Sequence, residues 1–313
     1  MRVVKPERLR KGDLVGIVAP SGPVLDTGKV ERGVRYLERL GYRVAVGRHT
    51  CRVHGYLAGG DEERAEDLHA MFADGRVRAV MALRGGYGAG RLLRLLDWRL
   101  LARNPKILVG FSDLTALQLA LWRKCHLVTF HGPMLVSDLA GSPDRATEES
   151  LWRMLTSGRR PGLLRLPPSS RPTPLHGGRT AGRLIGGNLS LLVSLLGTPF
   201  MPRLGDAILF FEEVGEEPYR IDRMLNHLAT AGVLARARGC LAGRFTDCSP
   251  RDRTRPSLSL EDVLAETASR LGVPFLSGLP FGHIRTKITL PIGITARMDA
   301  GRGKLELLEA AVS

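Results

Sequence analysis

Over its first half the chain alternates short apolar runs with apolar positions at helical spacing. Leu14–Ala19 (LVGIVA) reads as a buried strand halted by Pro20-Ser21-Gly22-Pro23. Val30, Val34, Leu37 and Leu40 share one helical face, and Gly41 ends that helix. Arg43–Val46 is a second strand. Asp61, Glu62 and Glu63 form the acidic first turn of a helix with Leu68, Met71 and Phe72 inward. Ala79–Leu83 predicts a third strand that runs into Arg84-Gly85-Gly86-Tyr87-Gly88. Ile107–Val109 predicts a fourth, and Leu127–Phe130 a fifth that ends in His131-Gly132-Pro133. This alternation predicts an α/β fold whose mostly parallel sheet is covered on both faces, a flavodoxin-like sandwich.

The pattern changes near Leu166. The stretch PPSSRPTPLHGG has no periodicity and is rich in Pro, Ser and Gly, so 166–179 reads as a linker between a 1–165 domain and a 180–313 domain. Beyond it, Gly186-Gly187-Asn188 precedes the helix LSLLVSLLG. Ala207–Phe211 is a strand that delivers Glu212-Glu213, and Arg220–Leu234 is helical. Ser259 and Asp262 make a capping box for a helix to Leu271. Shorter strands follow at Phe275–Leu279, Ile288–Pro291, Ile294–Met298 and Leu305–Leu308. The expectation is a smaller, β-rich, barrel-like second domain.

Parallel α/β sheets bind ligands beyond the carboxyl ends of their strands. That rule puts Ser21-Gly22, the RGGYG loop, Ser112 and His131 along one rim. Ser112 stands out because Ile107–Val109 bends at Gly110-Phe111-Ser112-Asp113 into the helically spaced Leu114–Trp122. A serine on such a turn has its hydroxyl exposed, and the N–H groups of the following helix face a developing oxyanion. GFSDL lacks the second glycine of the usual nucleophile elbow, and a Ser-Asp pair before a helix is also ordinary capping. A serine nucleophile needs a base and a carboxylate to orient it. Among eight histidines, His131 and His283 stand at loop positions suited to the base, and spacing does not choose between them. Glu212 and Glu213 end an apolar strand and supply the acid, or else a pair of solvated charges.

Composition narrows the classes. The 313 residues carry a formal charge of +15, mostly arginine. Because the arginines are scattered and aromatics make up only 5%, the charge reads as a solvated surface rather than a nucleic-acid interface. No window approaches the ~18 apolar residues of a membrane span, and the basic N-terminus lacks the apolar core of a signal peptide, so a cytoplasmic protein is expected. The four cysteines (Cys51, Cys125, Cys240, Cys248) lie far apart without C-x-x-C spacing. No cluster has metal-ligand spacing, and the RGGYG glycines match no nucleotide-binding fingerprint, so neither metal nor cofactor is expected.

Seven segments resemble, in order, those of the L,D-carboxypeptidases, serine peptidase family S66: GDLVGIVAPSGPV, RGGYGAGRLL, GFSDLTAL, TFHGPM, GRLIGGNLSLL, ILFFEEVGEEPYRIDRML and GHIRTKITLPIG. The resemblance spans nearly the whole chain. It implies a Ser112–Glu212–His283 triad, with oxyanion N–H groups on Gly86 and Asp113, and it leaves His131 a substrate-contacting role on the rim. The family's acidic motif has aspartate where Glu213 stands here. The implied activity is removal of the terminal D-alanine from muramoyl tetrapeptide in peptidoglycan recycling, by a homodimer. Arg84 is the first candidate to hold the substrate carboxylate. Two alternatives stand beside this reading. One is a related amide hydrolase that confers immunity to a peptide–nucleotide antibiotic of the microcin C type; the other is a binding protein that has lost turnover.

Overall fold

The computed structural model describes residues 3–252 and 254–313; Met1 and Arg2, at the head of the basic N-terminal stretch, and Arg253 lie outside the described residues. The first sheet is built from β1 (Leu14–Val18), β2 (Arg43–Val46), β3 (Val77–Ala82), β4 (Ile107–Gly110) and β5 (Thr129–His131). They are parallel and lie in the order β5-β4-β3-β1-β2. The intervening helices are α1 (Thr27–Arg39), α2 (Asp61–Ala73), α3 (Ala89–Leu92), α4 (Trp98–Arg103) and α5 (Leu114–Cys125). A π-helical turn at Leu135–Leu139 and α6 (Arg145–Thr156) follow β5. Strand β4 is buried at every position, as a central parallel strand covered on both faces must be.

The second sheet takes β6 (Gly162–Leu163), β7 (Thr173–His176), β8 (Arg179–Asn188), β9 (Ala207–Val214), β10 (Gly239–Thr246) and β11 (Phe275–Ser277). Helices α7 (Leu189–Ser194), α8 (Pro218–Thr230) and α9 (Leu260–Leu271) are interspersed among them. After β11 come β12 (Leu290–Ile292), β13 (Thr295–Asp299) and β14 (Lys304–Leu307). The order is β6-β14-β13-β8-β9-β10-β11-β7, with β8 to β11 parallel and the flanking strands antiparallel. This is an open mixed sheet and not the barrel-like closure expected from the run of short strands: β6 and β7 stand at opposite edges of it. Residues 173–176, inside the stretch expected to be a linker, form one of those edges.

Strand pairing and helix packing both join the halves. Strand β12 leaves the second half and pairs antiparallel with β5, extending the first sheet to six strands. Helix α5 lies between the sheets, and ten of its twelve residues are buried. A helix enclosed on all sides is apolar all round, which is why LTALQLALW has no polar face. At its first turn Thr115 Oγ1 accepts the N–H of Asn188 at 2.9 Å. Gly187 comes so close there that a Cβ would stand 2.4 Å from Thr115 Oγ1. The end of β8 is thereby held against the start of the helix that follows Ser112.

Candidate active site

Ser112 occupies the turn between β4 and α5 with φ of 62°, a left-handed conformation unusual for a side chain larger than glycine. Packing holds it there. A Cβ at Gly110 would come 2.8 Å from Leu114 Cγ, so the strand turns sharply only with glycine at that position. Gln118 donates to the carbonyls of Gly110 (2.9 Å) and Phe130 (2.8 Å), pinning the ends of β4 and β5. Asp113 is buried; its Oδ2 accepts from Ser21 Oγ at 2.6 Å and from Ala89 N at 2.7 Å. Burial raises the Asp113 carboxyl above its usual range, opposed by those hydrogen bonds. One carboxyl group thus ties the β1 loop, the RGGYG loop and the elbow together.

The RGGYG loop lies directly against the serine. A Cβ at Gly85 would stand 3.0 Å from Ser112 Cβ and 3.1 Å from its Oγ. Gly86 has φ of 121°, and a Cβ there would meet Gly22 at 3.2 Å. Among the described residues, neither the Gly86 nor the Asp113 N–H donates to a backbone carbonyl. Arg84 is exposed and donates to Pro23 O at 3.2 Å.

The acid and the imidazole come from the second half. Glu212, near the end of β9, is fully buried, and its Oε2 lies 2.7 Å from His283 Nδ1. His283 Nε2 lies 3.0 Å from Ser112 Oγ. With the carboxylate accepting from Nδ1–H, Nε2 presents its lone pair and the serine hydroxyl donates to it. Gly282 makes this approach possible: its φ is 109°, and a Cβ would fall 2.8 Å from Glu212 Oε2. Thr246 Oγ1 donates to the His283 carbonyl at 2.9 Å, and the Phe111 ring packs on the imidazole at 4.9 Å. A hydroxyl, an imidazole and a buried carboxylate in line can move a proton off the serine as it attacks a carbonyl.

Two positions differ from their sequence expectation. His131 does not face the rim. It is 1% exposed, and its ring is set among the edges and faces of Phe111, Phe210 and Phe281 behind the site. Burial, helped by the nearby His283 and Lys287, pushes its pKa down to about 3, so it stays neutral. Glu213 is not a solvated charge: helix α7 covers its face of the strand. Its carboxylate accepts from Asn188 Nδ2 (2.8 Å), Ser190 N (2.8 Å) and Ser190 Oγ (2.7 Å).

Other working residues escaped the sequence reading. The roles of Gln118 and Ser21 are of this kind, and the polar Gln118 inside an otherwise apolar helix was the available signal. Lys287 is buried, pairs with Asp138 and sits 4.1 Å over the Phe111 ring; nothing in its local sequence announces that. Beside the imidazole opens a cleft of about 560 Å³, lined by Lys29, Arg32, Phe111, His283 and Arg285 among others. Among the described residues no group of three or more His, Cys, Asp or Glu is placed to hold a metal ion.

Comparison with known proteins agrees with this architecture. Profiles of the LD-carboxypeptidase N-terminal and C-terminal domains match residues 15–132 and 181–298. A probable murein peptide carboxypeptidase of Bacillus subtilis is 43% identical over 99% of this chain and 95% of its own. The crystal structure of a muramoyltetrapeptide carboxypeptidase from Oxalobacter formigenes superposes with a TM-score of 0.82 at 33% identity, covering 94% of this chain and 97% of the other. A microcin C7 self-immunity protein superposes with a TM-score of 0.90 at 26% identity, covering 99% and 100%. With both domain profiles matched in order and close relatives aligned nearly end to end, the chain belongs to the LD-carboxypeptidase family of peptidases, S66.

Proposed function

We propose that this protein is a serine-type L,D-carboxypeptidase that removes the terminal D-alanine of muramoyl tetrapeptide during peptidoglycan recycling. The observation that carries the reading is the continuous hydrogen-bonded chain from Ser112 through His283 to Glu212. In this mechanism His283 Nε2 takes the Ser112 proton as Oγ attacks the carbonyl of the L-centre. Glu212 orients the ring and balances the imidazolium charge. The tetrahedral oxyanion accepts from the N–H groups of Gly86 and Asp113, each such donor contributing about 3 kcal/mol. The imidazolium then gives its proton to the leaving D-alanine nitrogen. Water, activated by the same imidazole, hydrolyses the acyl-enzyme and frees Ser112.

The names of the relatives at 43% and 33% identity support this substrate. The superposition on an immunity protein supports a second reading, an amide hydrolase acting on a peptide–nucleotide antibiotic. The same triad serves both, so substrate preference separates them. Comparing kcat/KM on muramoyl tetrapeptide and on aspartyl sulfamoyl adenosine decides the matter: a higher value on the tetrapeptide is expected, and a reversed order overturns the first reading. In this reading the enzyme works without a cofactor in the cytoplasm, as a homodimer. A monomeric mass from equilibrium sedimentation would remove the dimer. No helix among the described residues is long and apolar enough to cross a membrane.

A further inference from the structure

A carboxypeptidase has to recognise a free carboxylate one residue beyond the bond it cuts. Where that carboxylate sits follows from the site's geometry, granted the carboxypeptidase reading above. The oxyanion donors at Gly86 and Asp113 belong to the RGGYG loop and the elbow. The group that protonates the leaving nitrogen is His283. The departing amino acid therefore lies on the His283 side of the serine, where the cleft of about 560 Å³ opens. Arg84 is not among the residues lining that cleft.

The cleft's charges are unevenly committed. Its two carboxylates are occupied: Asp138 pairs with buried Lys287, and Asp144 accepts Thr147 N at 3.1 Å as the cap of α6. Arg32 is drawn toward Asp26 at 3.3 Å. Lys29 and Arg285 line the same cleft, and among the described residues neither side chain has an ion-pair or hydrogen-bond partner. Lys29 projects from the first turns of α1. Arg285 stands two residues after the imidazole, on a loop held from both sides by Thr147. That hydroxyl donates to the Arg285 carbonyl at 3.1 Å and accepts the Lys287 N–H at 2.9 Å. A loop fixed by buried backbone bonds holds its guanidinium base in one place while leaving the head free to meet a ligand.

We propose that Lys29 and Arg285 form the anchor for the free carboxylate of the leaving D-amino acid, and so make the enzyme an exopeptidase. A guanidinium fork matches a carboxylate, and the ammonium adds a second charge-assisted contact. Both contacts exist before and during attack, so losing them raises KM and leaves kcat nearly unchanged.

The test uses the full-length enzyme with two substrates, the tetrapeptide with a free terminal carboxylate and the same peptide as its terminal amide. Lys29→Ala and Arg285→Ala should each raise KM for the free acid roughly tenfold, with kcat within about threefold. Arg285→Lys should recover part of the loss. On the amide the variants and the parent should perform alike, because the group they recognise is gone; a merely structural defect would lower both substrates together. Free-acid KM values unchanged in both variants overturn the anchor while leaving the carboxypeptidase reading in place. Equal losses on acid and amide overturn it too. If the parent enzyme hydrolyses neither peptide, the carboxypeptidase reading fails, and the anchor with it.

Discussion

Replacing Glu212 by glutamine removes one charge and almost no volume, and the structure says which way the new amide will turn. Oε2 of the native carboxylate accepts from His283 Nδ1 at 2.7 Å. Oε1 is buried without a hydrogen-bond partner among the described residues. An amide that kept its oxygen on Nδ1 would place its NH₂ where Oε1 now lies, leaving a buried donor unpaired at a cost of about 1–3 kcal/mol. Turning over lets the NH₂ donate to Nδ1. The imidazole proton is then forced onto Nε2, which faces Ser112 Oγ at 3.0 Å and can no longer accept its hydrogen. The neighbouring serine protease chemistry loses roughly 10⁴ in kcat from the corresponding change. We expect a fall of about 10³ to 10⁴ in Glu212→Gln, or about 4–5.5 kcal/mol of transition-state stabilisation. The fold should survive within about 1 kcal/mol, because an isosteric side chain replaces a buried charge. Tetrapeptide hydrolysis at neutral pH, paired with urea unfolding, measures both. A folded variant whose kcat stays within tenfold of the parent would refute the assigned tautomer and with it the role of Glu212.

Three further outcomes follow from particular contacts. At Ser112, where φ is 62°, both Ser112→Ala and Ser112→Gly should abolish hydrolysis, yet the glycine variant should be the more stable by about 1 kcal/mol; urea midpoints showing alanine ahead would argue against backbone strain at the elbow. Gly187→Ala, whose Cβ would collide with Thr115 Oγ1 at 2.4 Å, should cost about 2 kcal/mol or more and lower kcat without touching the triad. A variant with native kcat would mean the β8–α5 junction does not set the triad's geometry. His131 is held neutral with a pKa of about 3 against an ordinary 6.5. As pH drops below 6.5 the unfolded chain takes up this proton first, so folding stability declines by about 1.4 kcal/mol per pH unit. Between pH 6.5 and about 5 the parent should lose about 1.6 kcal/mol more than His131→Phe, and parallel pH profiles in urea unfolding would contradict the buried neutral ring.

What the chain discloses in advance depends on how local the cause is. The strands and helices of the first half were readable because period 2 and period 3.6 patterns are set by one neighbouring layer. Strand β8 was not, because Gly182, Gly186 and Gly187 break its pattern. Gly182 and Gly186 are there because β9 passes so close that a Cβ at Gly186 would overlap Phe210 O at 1.8 Å, and Gly187 because α5 does, with Thr115 Oγ1 2.4 Å from where its Cβ would stand. The segment around Leu290 read as a strand, but its pairing with β5 in the first sheet is a long-range choice that no local pattern encodes. Open or closed sheet is likewise decided by which edges meet, so short strands alone wrongly favoured a barrel. Ser112 and Glu212 stood at strand ends and could be named as candidates; choosing His283 needed the family resemblance. His131 followed a strand just as properly, but Phe210 and Phe281, far along the chain, close over it. Lys287 and Glu213 show the same limit, since a charge looks solvated until its buried partner is known.

Release of a D-amino acid from a peptide terminus by Ser112 is the step most directly open to measurement. Purified enzyme and Ser112→Ala, both shown to be folded, should be incubated with muramoyl tetrapeptide and followed by mass spectrometry. The parent should yield tripeptide and free D-alanine in equal amounts, and Ser112→Ala should yield neither. Intact tetrapeptide with the parent enzyme, or undiminished release by Ser112→Ala, would contradict the central claim.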